Sequence, residues 1–156
     1  MYRMVVTDLD GTLLNSQKQV SDANAKAIYK LKDQNITFVM ATGRSDVMTK
    51  AYTKQLKNAD IVITGEGCLD GQTVMGKAPV GVAKIAREFQ KPVLAFSGCV
   101  TEDAKACHAA GIDAFFPIVR GVISLEDAMQ TDHAKQNMTD TVEQVFRMLR
   151  TFQNIK

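Results

Sequence analysis

The sequence predicts an α/β fold of the Rossmann-like kind: a single three-layer domain around a five-stranded, mostly parallel sheet. Three observations lead to it. Five short apolar runs alternate with segments whose apolar residues recur at helical spacing. Polar and glycine residues gather where the runs end, the edge at which an open α/β sheet presents its chemistry. The chain of 156 residues, 46% apolar and 23% charged, suits one domain with a substantial core and leaves no room for two.

In chain order, Met4 to Val6 reads as a buried parallel strand. Asn15 to Val20 is polar loop, and Ser21 caps a helix from Asp22 to about Asp33, with Ala27, Ile28 and Leu31 as its apolar side. Asn35 stops that helix, and Ile36 to Ala41 is the second strand. A helix from Asp46 to Leu56 follows, then the third strand, Ala59 to Thr64. Gly65, Gly67, Gly71 and Gly76 mark a shaped loop, after which Pro79 opens a helix carrying Val82, Ile85, Ala86 and Phe89 at helical spacing. Pro92 precedes the fourth strand, Val93 to Phe96, which is followed by Ser97, Gly98 and Cys99. Thr101 caps a helix through Ala110, with Glu102 and Asp103 in its first turn, and Gly111 ends it. Ala114 to Val119 is the fifth strand, whose Pro117 puts its end at an edge or outside the ladder. Ser124 caps the short LEDAM turn, and His133 to about Thr151 is the last helix, packing through Met138, Val142, Val145, Phe146 and Leu149.

A formal charge of +2, with Lys and Arg spread along the helices, argues against nucleic acid as a partner. No leader-like start and no apolar run of spanning length is present, so no membrane partner is expected and the cytoplasm is the expected compartment. Cys68, Cys99 and Cys107 have neither an even count nor metal-ligand spacing, and reduced thiols are expected. His108 and His133 have no ligand set around them, which speaks against zinc or haem.

The stretch Met4 to Leu14, MVVTDLDGTLL, carries the first candidate site. Asp8 and Asp10 stand two apart where the chain leaves the sheet, so both can approach one ligand; close carboxylates repel, and Mg2+ or a shared proton relieves them. In phosphoryl transfer Asp8 would be a nucleophile and Asp10 a general acid or base, with Gly11 allowing a tight turn and Thr12 offering a hydroxyl to a phosphate or capping the turn. An ordinary Asp/Gly turn fits the same spacing. Thr42, Gly43 and Arg44 end the second strand in the same way: Thr42 meets a substrate or caps the next helix, and Arg44 binds an anion or is a solvated surface group.

In the glycine-rich loop, backbone N–H groups can cradle an anion, Glu66 and Asp70 can hold Mg2+ through water, and Lys77 can offset phosphate charge. The same residues fit an irregular surface loop with solvated charges. The pattern G-x-x-x-x-G-K-[ST] is absent, so nothing supports a general ATPase.

DLDGTLL, followed after a helix by ATGR, resembles the first motifs of the haloacid dehalogenase superfamily, in its sugar-phosphatase-like branch, over residues 1–56. The resemblance implies Asp8 as nucleophile, Asp8 and Asp10 in Mg2+ binding, Asp10 in acid/base chemistry and Thr42 on the phosphoryl group, with Gly11, Thr12, Gly43 and Arg44 about the substrate. From Ala59 onward, ADIVITGEGCLDGQTVMGKAPVGVAKIA, KPVLAFSG, GIDAFFPI and SLEDAM resemble the carboxyl-terminal part of bacterial glycerate kinases of the second type, over residues 59–152. This second resemblance implies Glu66, Asp70, Gln72 and Thr73 at a cleft for glycerate and ATP. The chain therefore reads as a chimera or fusion with its seam near residues 56–59.

The dehalogenase-like resemblance also implies the strand order 3-2-1-4-5, with the nucleophile strand central. That order would bring Asp8, Asp10 and Thr42 to one mouth with residues 65–77 and 97–103. The chain departs from that family in two places. Lys77 is the one stand-in for its charge-steadying Lys, and Cys99 stands where the first acid of its Mg2+ motif belongs, leaving Asp103 as the third metal ligand. The leading expectation is a weak or vestigial Mg2+-dependent phosphomonoester hydrolase, acting on a small phosphorylated metabolite through an aspartyl-phosphate at Asp8. The alternatives are an ATP-dependent glycerate kinase, in which a homodimer supplies the cleft that a monomer lacks, and a non-catalytic chimeric α/β domain.

Overall fold

Five parallel strands form one sheet in the computed structural model, which describes residues 4–8, 13–41 and 59–153. They are β1 (Met4–Asp8), β2 (Thr37–Ala41), β3 (Ile61–Leu69), β4 (Val93–Val100) and β5 (Ala114–Pro117). The described helices are α1 (Asp22–Asp33), α2 (Ala78–Glu88), α3 (Ala106–Ala109), α4 (Leu125–Met129) and α5 (Thr131–Gln153). The α/β class and the five-stranded parallel sheet are as expected; the helix expected over Asp46 to Leu56 lies outside the described residues.

The strand order is β1-β2-β3-β4-β5, which replaces the expected 3-2-1-4-5. β1 is an edge strand, paired with β2 from Met4↔Thr37 to Asp8↔Ala41, and β2 pairs with β3 from Val39↔Ile61 to Ala41↔Ile63. The side chains give the reason. Val39, Met40 and Val62 have no exposed surface, whereas Val6 is 50% exposed, so the middle of the sheet belongs to β2, β3 and β4 and the apolar start of the chain covers one flank.

Two aspartates fasten the amino edge of the sheet. Asp60, one residue ahead of β3, accepts the Phe38 N–H on its carboxylate at 2.6 Å and donates its own N–H to the Phe38 carbonyl at 2.6 Å. Asp113, one residue ahead of β5, repeats the arrangement with Val93, at 2.6 and 2.9 Å. Each satisfies a backbone donor at the start of the neighbouring strand and sets that strand's register.

Both faces are covered. Ile28 of α1, Val80 and Ile85 of α2 and Cys107 of α3 are buried against Phe38, Val62 and Val93. On the other face Val142, Val145, Phe146 and Leu149 of α5 pack on Val39, Ile63 and Phe96, while Met138 of the expected stripe stays 38% exposed. Each fully buried Val or Ile contributes about 1.5–3 kcal/mol, which is why a sheet apolar on both sides needs both helical layers. Ser21 and Ser124 cap α1 and α4 by accepting the N–H groups of Asn24 and Asp127, and Asn35 and Gly111 take left-handed conformations just beyond α1 and α3.

β3 and β4 run further than expected. Gly65 to Leu69, expected as loop, pairs with Phe96 to Val100 and extends the ladder to Leu69↔Val100. Glycine here permits close approach of two backbones: a Cβ on Gly98 would lie 2.6 Å from the Gly67 carbonyl oxygen, and one on Gly65 would lie 2.9 Å from that of Phe96. Leu69 enters the same core as Val62, and Val100 the same core as Ala95, although the two positions in each pair differ by an odd number. Strict alternation would put them on opposite faces, so both strands exchange faces near Gly67 and Gly98. The buried Ser97 hydroxyl stitches that region, accepting the Leu69 N–H at 3.0 Å and lying 2.6 Å from the Cys99 carbonyl oxygen, to which it donates.

Gly98→Ala should cost about 1–3 kcal/mol, because its new methyl meets backbone that cannot rotate away. Gly67→Ala, whose Cβ meets nothing within 4 Å, should stay within about 0.5 kcal/mol of wild type. Urea unfolding of the two variants checks this, and equal losses would remove the close-approach account.

Candidate functional site

Beyond Leu69 the chain turns at Asp70 into a 3-10 turn, Thr73–Met75, and on into α2. Asp70 holds the turn together. Its Oδ1 accepts the Thr73 N–H and the Thr73 hydroxyl, both at 2.9 Å, and Lys77 Nζ reaches both carboxylate oxygens at 3.1 Å. Thr73 is fully buried, and Gly76 closes the turn at φ 112. Hydrogen bonding to Lys77, then to Thr73, holds the Asp70 carboxyl below its usual range against the opposing effect of desolvation. Such a carboxylate stays ionised and is a poor base. An ammonium has three N–H donors, so Lys77 keeps one for an anionic oxygen after serving both oxygens of Asp70.

The exit of β4 lies against this turn. Thr101 donates its N–H to the Leu69 carbonyl at 2.9 Å; its hydroxyl lies 3.2 Å from the same oxygen and also pairs with the Asp103 carboxylate. The hydroxyl is thereby drawn away from the helix-capping role expected for it, and Glu102–Lys105 is a 3-10 turn ahead of the short α3. Asp103 fills the space that a Cβ on Gly71 would need, so that glycine lets a second carboxylate stand beside the Asp70 turn. Cys107 is buried beneath, with Sγ 4.0 Å from the Asp70 carbonyl oxygen. Burial first, and then the negative charges of Asp70 and Asp103, push its thiol up, so Cys107 is protonated and unreactive near neutral pH.

Cys68 and Cys99, opposite each other in the β3–β4 register with Cα atoms 4.6 Å apart, form a disulfide. The expectation of three reduced thiols holds for Cys107 alone. A cysteine count cannot register a pair brought together by strand pairing across 31 residues.

The other expected site residues fall in different places. Glu66 lies within β3, its Oε1 accepting the Gly67 N–H at 3.1 Å, and Gln72 is exposed on the turn. Asp8 is exposed at the end of β1, while Asp10, Gly11, Thr12, Thr42, Gly43 and Arg44 lie outside the described residues. The strand register separates Asp8 from the Asp70 turn. Asp8 is level with Ala41 and Ala41 with Ile63, whereas β3 continues from Ile63 to Leu69 before turning. Two strand spacings across and six residues along put Asp8 roughly 20 Å from that turn. The single mouth that would join Asp8 to residues 65–77 and 97–103 therefore does not form, and Lys77 serves Asp70.

The described residues group no ligand set for Mg2+, and Asp10 of the expected set lies outside them. No three His, Cys, Asp or Glu side chains among them are grouped to hold a metal ion, Asp70 is engaged by Lys77, and Asp103 by Thr101. The sequence places Gly71, Ser97 and Thr101 only within the ranges 65–77 and 97–103; the two hydroxyl contacts cross 28 and 32 residues, and no local pattern announces them.

Residues 37–150 match the family model of the glycerate kinase family, and residues 1–69 that of sucrose-6F-phosphate phosphohydrolase. A glycerate kinase of Haemophilus influenzae is 46% identical over 94 residues, 60% of this chain and 24% of that protein. A 5-amino-6-(5-phospho-D-ribitylamino)uracil phosphatase of Bacillus subtilis is 35% identical over 65 residues, 43% of this chain and 26% of that protein. A crystal structure assigned as glycerate kinase 2 from Salmonella typhimurium LT2 superposes with a TM-score of 0.51 at 34% identity, covering 71% of this chain and 27% of that one. This chain thus spans about a quarter of the length of these relatives. Its front and back match different families, as the two sets of motifs imply.

The Asp70 pairing has a pH signature. A carboxyl held below its unfolded value stabilises the fold above the ordinary carboxylate range, and that contribution is lost as the pH falls through the depressed value. Asp70→Asn should therefore be less stable than wild type at neutral pH, with the gap narrowing in acid. Stability measured by denaturant from neutral pH down into acid checks this, and a gap that stays constant would contradict it.

Proposed function

We propose, from the premise that this chain belongs to the glycerate kinase family through residues 37–150, that the ends of β3 and β4 form one wall of an ATP-dependent glycerate kinase site. The observation that carries the reading is the Asp70–Thr73–Lys77 arrangement at the carboxyl end of β3, inside the matched region, with Asp103 delivered beside it from β4. In the reaction a glycerate hydroxyl oxygen bonds to the γ-phosphorus of ATP, the bond from that phosphorus to ADP breaks, and the hydroxyl proton leaves to a base. Lys77, aimed by Asp70, donates its remaining N–H to the anionic oxygens as charge builds on them. Asp70, lowered in basicity, orients Lys77 and is not the proton acceptor. The facing wall comes from a second copy of the chain, so turnover per chain rises with protein concentration.

The test is phosphoglycerate formed from ATP and glycerate over a range of protein concentration. Lys77→Met should lower the rate about 10²-fold while leaving the circular dichroism of the fold intact. Absence of product from folded wild-type protein at the highest concentration overturns the reading. A second reading, a phosphomonoester hydrolase using Asp8, is favoured by the match of residues 1–69 to a phosphohydrolase family. Given the strand register it would be a separate site. Hydrolysis of sugar phosphates that is equal in wild type and Asp8→Asn, or missing from both, would reject it.

A further inference from the structure

We infer that Cys68 and Cys99 form a redox-sensitive clamp that holds the Asp70 turn in place, an inference that rests on that turn being the functional wall proposed above. The disulfide joins the last part of the β3–β4 ladder, and only Leu69↔Val100 follows it. One residue beyond Leu69 is Asp70, and one beyond Val100 is Thr101, so both chains leave the sheet for the site directly after the clamp. Immediately before it stand Gly67 and Gly98, which contribute no side-chain packing. Besides backbone pairing, the Ser97 and Thr101 hydroxyls and the disulfide bind the two chains here. Breaking the disulfide removes the covalent tie directly ahead of Leu69, whose carbonyl anchors Thr101 and, through Thr101, Asp103.

The chemistry is thiol–disulfide exchange with a small thiol of the glutathione class. Cys99 is exposed and Cys68 half-buried, so the incoming thiolate attacks the Cys99 sulfur. A mixed disulfide forms there, the bond to Cys68 breaks, and the Cys68 thiolate takes up a proton. A second thiolate attacks the small-molecule sulfur, releasing Cys99 as a thiol and the small molecule as its own disulfide. Two small thiols are oxidised and one protein disulfide is reduced. Cys107, buried and held protonated, takes no part and serves as the reference thiol.

The experiment equilibrates the full chain in oxidised and reduced glutathione buffers and measures two quantities: thiols alkylated after denaturation, by mass, and amide exchange. The oxidised protein should show one alkylated thiol and the reduced protein three. On reduction the amides of Thr101 and Thr73, bonded to the Leu69 carbonyl and the Asp70 carboxylate, should exchange about tenfold faster or more, while those of α5 keep their rates. The Cys68→Ser/Cys99→Ser protein should match the reduced wild type without any reductant; if that variant fails to fold, the wild-type comparison alone decides. Three alkylated thiols in oxidised buffer, unchanged exchange at Thr101 and Thr73, or equal acceleration across α5 would each overturn the clamp. Phosphoglycerate formation plays no part in these readouts, so a failed kinase assay leaves the clamp testable and a failed clamp leaves the kinase reading standing.

Discussion

The pairing of β3 with β4 is the constraint on which the rest of this structure depends. It is the longest ladder in the sheet, running from Val62↔Val93 to Leu69↔Val100, and the Asp70 turn hangs from its end. Two backbones can approach this closely near Gly67 and Gly98 because Gly98 has no Cβ, which would lie 2.6 Å from the Gly67 carbonyl oxygen. The change of faces at that point turns Leu69 and Val100 into the α2 side of the core. With Leu69 buried and its N–H taken by Ser97, the next residue is delivered to the carboxyl edge in a fixed position, and that residue is Asp70. The order of the Asp70 turn is thus inherited from strand pairing before any of its own hydrogen bonds is counted.

What could be read from the sequence was what local patterns encode. Ser21, Asn35, Gly111 and Ser124 mark helix ends by their own backbone and hydroxyl chemistry, and the α5 stripe from Val142 to Leu149 follows from period alone. Strand order is written in no single segment. The expected central place of β1 came from a family resemblance, and the 50% exposure of Val6 shows how little three apolar residues say about which strand lies inside. Glycine density misled in a similar way: Gly65 and Gly67 read as loop formers, whereas both lie within β3 and the small size of Gly65 serves a close pair of strands. Asp70 and Lys77 stand out in the sequence as charges in a glycine-rich loop and Thr73 through the kinase resemblance, and one turn brings the three into contact. Ser97, Thr101 and the Cys68–Cys99 pair do not stand out in this way, since each acts on a strand some thirty residues away.

The two resemblances meet inside the sheet, where the family matches overlap over residues 37–69, and the physics of that junction explains why it holds. The described β2–β3 ladder runs only from Val39↔Ile61 to Ala41↔Ile63, shorter than its neighbours on either side. Few cross-strand partners therefore had to be compatible. Asp60 supplements them with two hydrogen bonds to Phe38, and Met40 and Val39 enter the cores on opposite faces of the sheet. A strand that brings its own apolar side chains and one side-chain latch can be accepted beside β3 without redesign of the helices that cover it.

The same geometry separates the two chemistries that the sequence motifs suggest. Asp8 ends an edge strand level with Ile63, while the Asp70 turn begins only where β3 ends, roughly 20 Å away by strand spacing and rise. Electrostatic help from Lys77 does not extend over that distance, because two oxygens of Asp70 already engage its ammonium and a charge about two Debye lengths away is screened at physiological salt. Asp8 and the Asp70 turn therefore do not act on one ligand within one chain. Chemistry at Asp8 would depend on groups near the β1 edge, and chemistry at Asp70 on groups that face the β3–β4 end from outside this domain. An activity found at one of these places carries no implication for the other, even though a single sheet holds both.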